Sequence, residues 1–276
     1  MDKDSTKYQV ENSPAIKSST ASYSENYILT TSGVLNIYQD LTEFDCNQIL
    51  NSSRLIQVQF ARNFVVSQHT FDLINNEILL SNFVPTMDFR LNGFGAIKNL
   101  DCLQHLKNLK SLTVDMFQQN EIDKINRHLN LKKLGIGGDK ISINEITKQT
   151  ELEELFLFEK LKDVEVIGEM KNLKKLTLSK MTLKKLEFLK GLENLKELSF
   201  MFGSSTDYSC LPEVGLIEKL SFTMVRKLSQ EDLKPINDMS FLKQLILKAQ
   251  PNIHDLTWLT KKGVKVETLN CINFKE

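Results

Sequence analysis

Apolar residues recur along most of the chain in a six-residue pattern, with apolar first, fourth and sixth places and mostly polar places between them. One clear copy has Leu173, Leu176 and Leu178 in those places. Ten copies share the pattern, and they begin 21 to 29 residues apart at Leu55, Val84, Leu109, Leu131, Leu152, Leu173, Leu195, Ile217, Leu242 and Val266. Such a period is the signature of a repeat protein, whose units bury their apolar sides only against neighbouring units.

The segments between the copies carry a second pattern, in which every third residue is leucine. One such run consists of Leu183, Leu186, Leu189, Leu192, Leu195 and Leu198. Residues three apart nearly eclipse one another in a 3₁₀ helix, so this spacing predicts short 3₁₀ or tight α-helical turns that lead into the next strand. Each unit is therefore predicted to be one short parallel strand followed by a helical return.

The two patterns together resemble those of leucine-rich repeat proteins, specifically the short-repeat class of internalin-like and phosphatase-regulator-like proteins, over about residues 55–276. The resemblance implies an α/β solenoid. Its parallel strands would form the concave sheet of an arc, and short helical or 3₁₀ returns would form the convex side. The many Lys, Asn and Ile residues favour a bacterial source.

The family pattern also has Asn eight residues after the first Leu, where its amide would form a ladder along the turns. Here Asn63 and Asn92 match, and Asp139 would partly substitute. The remaining copies hold other residues at that place, namely Phe117, Lys160, Met181, Gly203, Val225 and Gln250. The ladder is therefore expected to be largely missing, and other groups must satisfy the backbone at the turns.

Three parts are predicted along the chain. Residues 1–27 are rich in Ser, Thr, Asn, Lys and Glu and are expected to form a disordered tail. Residues 28–83 are expected to form an N-terminal cap with atypical repeats, because residues 41–50 and 71–80 read as full helices that would cover the first open edge of the core. Residues 84–276 are expected to form the leucine-rich repeat domain.

The C-terminal end of the repeat domain is predicted to close with a helix and a strand. The helix is expected over residues 255–262, with Trp258 as its anchoring residue. The last copy of the pattern, formed by Val266, Leu269 and Cys271, is expected to supply the closing strand.

The balance of charge limits the kinds of partner. The chain has 276 residues, of which 35 are basic and 35 acidic, and its formal net charge is zero. Zero net charge argues against nucleic acid or an anionic membrane as the main partner. No apolar run reaches the length of a signal peptide or a membrane helix, and the four cysteines are too far apart for a disulfide framework. These features predict a cytoplasmic protein with reduced thiols that is a monomer when free.

Known catalytic and cofactor-binding motifs do not occur in the sequence. The glycine-rich tract at residues 135–140 lacks the order of a phosphate-binding loop, GxxxxGK[ST]. The four histidines are scattered without the spacing of a zinc site, and there is no GxSxG nucleophile motif. We therefore expect no enzymatic activity, no metal and no cofactor.

Side chains at the third, fifth and seventh places are expected to face out from the sheet, because side chains alternate between the two faces of a strand. The third places of successive copies alternate in charge, through Lys133, Glu154, Lys175, Glu197 and Lys219. Since parallel strands lie about 4.8 Å apart, this column predicts a self-neutralising ladder rather than a ligand-binding cluster.

Two aromatic side chains mark the candidate partner site on that face. Phe156 and Phe158 fall in one strand, and the equivalent residues of the flanking copies are small. Exposed aromatic residues among small ones are typical of an interface hot spot. The predicted partner-binding residues are Phe156, Phe158, Met201, Thr177, Ser179, Ser199, Thr113, Asp115 and Ile246. Two alternatives stay open: a loop or the N-terminal tail covers the phenylalanines, or the register differs.

These expectations predict a non-enzymatic module that recognises a partner protein on its concave sheet. It would neutralise or regulate that partner, as an immunity protein, an antitoxin or an adaptor does. Two alternatives come from other classes: an effector or enzyme whose activity lies in the atypical region 28–95, and a scaffold that holds several proteins.

Overall fold

The computed structural model describes residues 6–52, 54–61, 64–81, 87–127, 131–205 and 207–271. The chain divides into two compact units, Met1–Lys132 and Lys133–Glu276. Two residues used in the repeat prediction, Asn63 and Val84, lie outside the described residues. The domain boundary expected after residue 83 stays a prediction.

The first unit combines short helices with a sheet. Its helices are α1 Thr6–Asn12, α2 Pro14–Ser18, α3 Glu43–Ser52, α4 Gln68–Leu73, which continues into a π-helical turn at Ile74–Ile78, and α5 Gln119–Ile122. Its 3₁₀ turns are Asp101–His105 and Asp123–Arg127. Its strands are β1 Thr20–Tyr23, β2 Tyr27–Thr30, β3 Val34–Ile37, β4 Gln57–Phe60, β5 Asp88–Asn92 and β6 Ser111–Asp115. Strands β1 to β3 pair antiparallel, and β3 to β6 pair in parallel.

The disordered tail expected over residues 1–27 is wrong for the part that the structure describes. Residues 6–27 contain α1, α2 and β1, and β1 pairs with β2. The side chain of Val10 is fully buried, and the hydroxyl of Tyr27 lies 2.5 Å from the hydroxyl of Ser22. The composition concealed this order because polar residues of the segment bond to each other and to the backbone.

The two helices expected in the N-terminal cap are confirmed as α3 and as α4 with its π-helical turn. Helix α3 begins at a capping box, in which the Thr42 backbone N–H donates to Asp45 Oδ2 over 2.9 Å and the Asp45 N–H donates to the Thr42 hydroxyl over 3.2 Å. Burial opposes ionisation of Asp45, but hydrogen bonds from Asn26 and Thr42 outweigh it and hold the pKa of this carboxyl below its ordinary value.

The second unit repeats one strand and one 3₁₀ return. Its strands are β7 Lys133–Gly137, β8 Glu154–Phe158, β9 Lys175–Ser179, β10 Thr182–Leu183, β11 Glu197–Met201, β12 Ser204–Ser205, β13 Lys219–Thr223, β14 Gln244–Lys248 and β15 Lys265–Leu269. Its 3₁₀ returns are Asn144–Lys148, Val164–Glu169, Glu187–Gly191, Leu211–Glu213 and Glu231–Asp238. Strands β7, β8, β9, β11, β13, β14 and β15 pair in parallel in that order, and the two-residue strands β10 and β12 pair with each other.

Burial and register confirm the repeat prediction in the second unit. Leu176 is fully buried and pairs with Leu198 of the next repeat, while Leu178 pairs with Phe200. The first, fourth and sixth places of the six copies that begin at Leu131, Leu152, Leu173, Leu195, Ile217 and Leu242 are all buried. The leucines of each repeat therefore form one common core, as a solenoid requires.

The register predicted for the copy beginning at Val84 is wrong by two residues. Phe89, rather than Met87, pairs with Leu112 at the fourth place. Leu91 then takes the sixth place and is fully buried. Apolar residues alternate along this strand, so a slip of two residues keeps the same side chains on the core face, and the fourth and sixth places are apolar in both registers.

The register predicted for the last copy is wrong by three residues. Val266, rather than Leu269, pairs with Leu245. Leu269 is 54% exposed, although a core position was expected for it. In the observed register Gly263 and Thr268 hold the first and sixth places, so this copy has an apolar residue at only one of its three core places and the apolar pattern fits a register that the strand does not use.

The closing helix expected over residues 255–262 is wrong, because this segment forms turns. Asp255 Oδ1 accepts hydrogen bonds from the N–H and the hydroxyl of Thr257. Asn237 Oδ1 accepts two further backbone N–H groups of the segment, over 2.7 and 3.0 Å. These side chains satisfy the backbone in place of a helix. Trp258 is nevertheless buried, and its Nε1 donates to the Asp255 carbonyl oxygen.

Where the strands of the second unit end, residues with left-handed backbone, rather than an Asn ladder, continue the backbone hydrogen bonds between repeats. We call these residues the strand-end row: Glu159, Lys180, Phe202, Met224, Ala249 and Asn270. The N–H of Lys180 donates to the Met201 carbonyl oxygen over 2.7 Å, and the N–H of Phe202 donates to that of Thr223 over 2.9 Å. The chain thus leaves the sheet while its hydrogen bonds continue to the next strand.

Candidate protein-binding surface

The outward face of the second unit carries the predicted ladder of charges. Lys175 Nζ lies 3.9 Å from Glu154 Oε2 and 3.9 Å from Glu197 Oε2. The three side chains are 42–45% exposed, so water screens both pairs. The ladder is therefore confirmed around Lys175, as a set of weak, solvated contacts between neighbouring strands.

The phenylalanine pair lies in the middle of the same face and packs against glycine. The rings of Phe156 and Phe158 stack with their centroids 5.1 Å apart and an angle of 21° between their planes. In register, Phe156 lies opposite Gly135 and Phe158 opposite Gly137. A Cβ on Gly137 would stand 1.9 Å from Cε2 of Phe158, so this ring occupies the space that a side chain would need. Both rings are half-buried.

Four more predicted residues lie beside the pair. Thr177 is opposite Phe156 in register and Ser179 is opposite Phe158. On the next strand, Ser199 is opposite Thr177 and Met201 is opposite Ser179. Ser179 is buried, whereas Met201 is half-exposed. The phenylalanine pair and these four residues therefore form one continuous surface across β8, β9 and β11, which we call the phenylalanine face.

The other three predicted residues lie apart from the phenylalanine face or are covered. Ile246 is on β14, beyond Ser221 of β13, and is only 8% exposed. Thr113 and Asp115 belong to β6 of the first unit. Thr113 is buried, and its hydroxyl donates to the Asp88 carboxylate over 3.0 Å. Thr113 and Ile246 thus offer little surface to a partner.

The outward face of the first unit is polar, and its side chains bond to one another. Gln57 Nε2 donates to Gln59 Oε1 over 2.8 Å, and Gln59 Nε2 donates to Asn36 Oδ1 over 2.6 Å. The Ser111 hydroxyl donates to Asp88 over 3.1 Å, as the Thr113 hydroxyl also does. A cavity of about 280 Å³ adjoins this network and is lined by Gln59, Phe60, Arg90, Asn92, Gly95, Ala96 and Ile97.

Sequence analysis missed two exposed apolar residues at the ends of strands in the second unit. Phe202 follows β11 and is 41% exposed, and Met224 follows β13 and is 51% exposed. Both have left-handed backbone, with φ of 56° and 47°. The signal that could have found them is a large apolar residue directly after the seventh place of a copy, where the chain leaves the sheet.

Three of the four thiols are buried. Burial raises the pKa of Cys46 and Cys102 to about 12 and that of Cys210 to about 11, so these thiols stay protonated and unreactive. Among the residues that the structure describes, no group of three or more His, Cys, Asp or Glu side chains could hold a metal ion. No helix in the described part of the chain has both the length and the apolar character to cross a membrane.

Comparison with known proteins identifies the fold. No family model matches the chain, and no curated protein matches its sequence. The chain is similar to the Drosophila Toll–Spatzle complex, with a TM-score of 0.53 and 14% identity, over 88% of this chain and 38% of that chain. It is also similar to an internalin of Listeria monocytogenes, InlF (TM-score 0.38, 14% identity, 90% of both chains). A leucine-rich repeat protein of Leptospira interrogans aligns with a TM-score of 0.45 and 17% identity, over 75% of this chain and 54% of that chain. The fold is a leucine-rich repeat α/β solenoid.

Proposed function

We propose that this chain is a protein-binding module without enzymatic activity, and that it holds its partner on the phenylalanine face. The stacking of Phe156 on Phe158, above Gly137, supports this proposal most directly. Rings that are fixed before binding lose little conformational freedom on contact, and apolar area covered by a partner contributes about 25 cal/mol per Å². Aromatic residues are the side chains that most often dominate binding energy at interfaces.

The shape of the surface beside the rings suits an apolar side chain of the partner. Ser179 lies between Phe158 on β8 and Met201 on β11, and its short side chain is buried. Two strand spacings separate these larger side chains, which is about 9.6 Å. A leucine or an aromatic side chain of the partner fits this gap and contacts apolar groups on both sides.

Affinity capture from the native host, followed by mass spectrometry, tests this proposal. We expect the wild-type chain to retain one dominant protein, and Phe156→Ala with Phe158→Ala to lose it. Lys175→Ala serves as the matched control on the same face and should retain it, because its ion pairs are solvated. Full capture by a correctly folded double variant would contradict the proposal.

We further propose that the module neutralises or regulates one partner in the cytoplasm of a bacterium, as an immunity protein, an antitoxin or an adaptor does. The phenylalanine face is continuous across three neighbouring strands, which supports one principal partner there, and four free cysteines suit a reducing compartment. Many partners captured in small amounts would favour a scaffold instead.

A further inference from the structure

Two members of the strand-end row differ from the rest. Phe202 and Met224 are large, apolar and exposed, whereas the remaining members are charged, polar or small: Glu159, Lys180, Ala249 and Asn270. Phe202 directly follows β11 and Met224 directly follows β13, and these two strands are neighbours in the sheet. The N–H of Phe202 donates to the Thr223 carbonyl oxygen, so the two apolar residues lie side by side where adjacent strands end.

Burial accounts for only part of these two side chains. Left-handed backbone costs a residue with a Cβ about 1–2 kcal/mol, and glycine or asparagine adopts it most readily. Phe202 is 41% exposed and Met224 51% exposed, and that exposed apolar area returns none of the backbone cost, since only area removed from water stabilises the fold. Two half-exposed, large apolar side chains on such backbone are typical of a surface that contacts another molecule.

Three exposed cations border these two apolar residues. Arg226, Lys227 and Lys248 are exposed, and none has an ion-pair partner among the described residues. Several other lysines of the unit do pair with acids of neighbouring repeats, as Lys243 does with Glu218 over 2.6 Å.

Backbone hydrogen bonds hold these cations next to the apolar residues. The N–H of Arg226 donates to the carbonyl oxygen of Gly203, the residue after Phe202, over 2.8 Å. The N–H of Met224 donates to the carbonyl oxygen of Lys248 over 2.9 Å. Arg226 and Lys248 therefore lie beside the two apolar residues where β11, β13 and β14 end, and Lys227 follows Arg226 in the chain.

We propose that these five residues, which we call the strand-end patch, form a second docking surface, and that it binds an acidic protein segment carrying aliphatic or aromatic side chains. Carboxylates of the segment would pair with Arg226, Lys227 and Lys248, and its apolar side chains would cover Phe202 and Met224. An anionic membrane fits less well, because lipid-binding clusters usually contain about 4–8 basic residues. This surface is separate from the pair Phe156 and Phe158, so the inference extends beyond the function proposed above.

Selection of a phage-displayed library of random 16-residue peptides on the full chain tests the inference. We expect the selected peptides to combine Asp or Glu with Leu, Phe or other apolar residues. The binding of one such synthetic peptide is then measured by fluorescence anisotropy. It should weaken at least tenfold with Phe202→Asn and Met224→Asn, a variant that keeps the fold because asparagine accepts left-handed backbone and occupies the row as Asn270.

Charge reversal at the patch should have a similar effect. Arg226→Glu with Lys227→Glu is expected to lower the affinity for the peptide at least tenfold. Lys160→Glu with Lys162→Glu reverses the same amount of exposed charge at another turn and should change the affinity less than twofold. Phe156→Ala with Phe158→Ala should also leave peptide affinity unchanged, so failure of the phenylalanine face and failure of the strand-end patch are distinguishable.

Any one of four results would overturn the inference. One is a selection that yields no acidic, apolar peptides. Another is a selected peptide that binds the Phe202→Asn and Met224→Asn variant as tightly as the wild type, or that is weakened equally by the Lys160 and Lys162 changes. The last is capture of phosphatidylserine vesicles by the wild type and not by the asparagine variant, which would assign the patch to a membrane.

Discussion

In the first unit the outward side chains of the sheet bond to one another, whereas in the second unit they leave apolar rings facing water. Gln59 both accepts from Gln57 and donates to Asn36, so a partner would have to replace bonds that already exist. Phe156 and Phe158 make no such bonds, and covering them removes apolar area from water without breaking anything. The residues at the outward places of the repeat therefore decide whether the surface is already hydrogen-bonded to itself or is available to a partner.

Both faces depend on the buried leucines beneath them. Replacing one of these leucines should have the largest effect on the stability of the fold. Leu176→Ala removes a fully buried side chain from the centre of the second unit and should lower the free energy of unfolding by about 2–5 kcal/mol. Leu269→Ala is the matched control, and it should cost less than about 1 kcal/mol because Leu269 is exposed. Urea titration followed by circular dichroism measures both, and equal losses would contradict the register found for β15.

The contrast between the faces predicts unequal effects on partner binding. Phe156→Ala with Phe158→Ala should weaken the free energy of partner binding by about 2 kcal/mol or more, which is roughly a 30-fold rise in Kd. Gln57→Ala with Gln59→Ala, the corresponding change in the first unit, should leave the Kd within about twofold. Calorimetric titration with the purified partner makes the comparison, and a larger effect of the glutamine changes would reverse our assignment of the open face.

The polar bonding of the first unit should also make its stability depend on pH. Hydrogen bonds lower the pKa of Asp45 in the folded chain, so its ionised form stabilises the fold. At pH 7, Asp45→Asn keeps an acceptor oxygen but loses the charge, so weaker hydrogen bonds from Asn26 and Thr42 should lower the free energy of unfolding by about 0.5–2 kcal/mol. The wild-type advantage should be complete above the unfolded pKa of about 3.9, and it should shrink as the pH falls through the lower folded value. A difference between the proteins that stays constant from pH 7 to pH 3 would count against this role of Asp45.

The charge ladder of the second unit should have the smallest effect. Lys175→Ala removes two ion pairs of 3.9 Å, both exposed to solvent. We expect a change in the free energy of unfolding of less than about 0.5 kcal/mol, further reduced in 0.5 M salt, since screening weakens exposed pairs. Urea titration at low and high salt is the measurement. A loss comparable to that of Leu176→Ala would show that the ladder is a major source of stability.

The repeat could be predicted from sequence because its signal is redundant. Eighteen buried places, three in each of the six copies from Leu131 to Leu242, agree on one register, so no single exception matters. The register of the copy at Val84 was mispredicted because its fourth and sixth places are apolar in two registers, and only strand pairing decides between them. The register of the last copy was mispredicted because its true first and sixth places, Gly263 and Thr268, are not large apolar residues. The tail failed for another reason: its order depends on hydrogen bonds such as that between Tyr27 and Ser22, and composition does not encode their geometry.

The surface was harder to predict than the core, because exposure depends on neighbouring strands. Sequence alternation placed Phe156 and Phe158 outward, but it did not show that Phe158 lies on Gly137 or that Ser179 is buried. Residues that bridge repeats were also missed. Asn172 and Asn194, directly before the first leucine of their copies, donate to the carbonyl oxygens of the preceding repeats at Thr150 and Lys171. Their regular place in the sequence was a usable signal.

The most direct test of the central claim is site-specific photo-crosslinking to the partner from the two faces. A benzophenone amino acid replaces Phe156 in one variant and Arg90, on the outward face of the first unit, in another. We predict an efficient crosslink to the partner from position 156 and little from position 90. Crosslinking from position 90, with none from position 156 in a variant that still binds, would contradict the claim that the phenylalanine face is the binding surface.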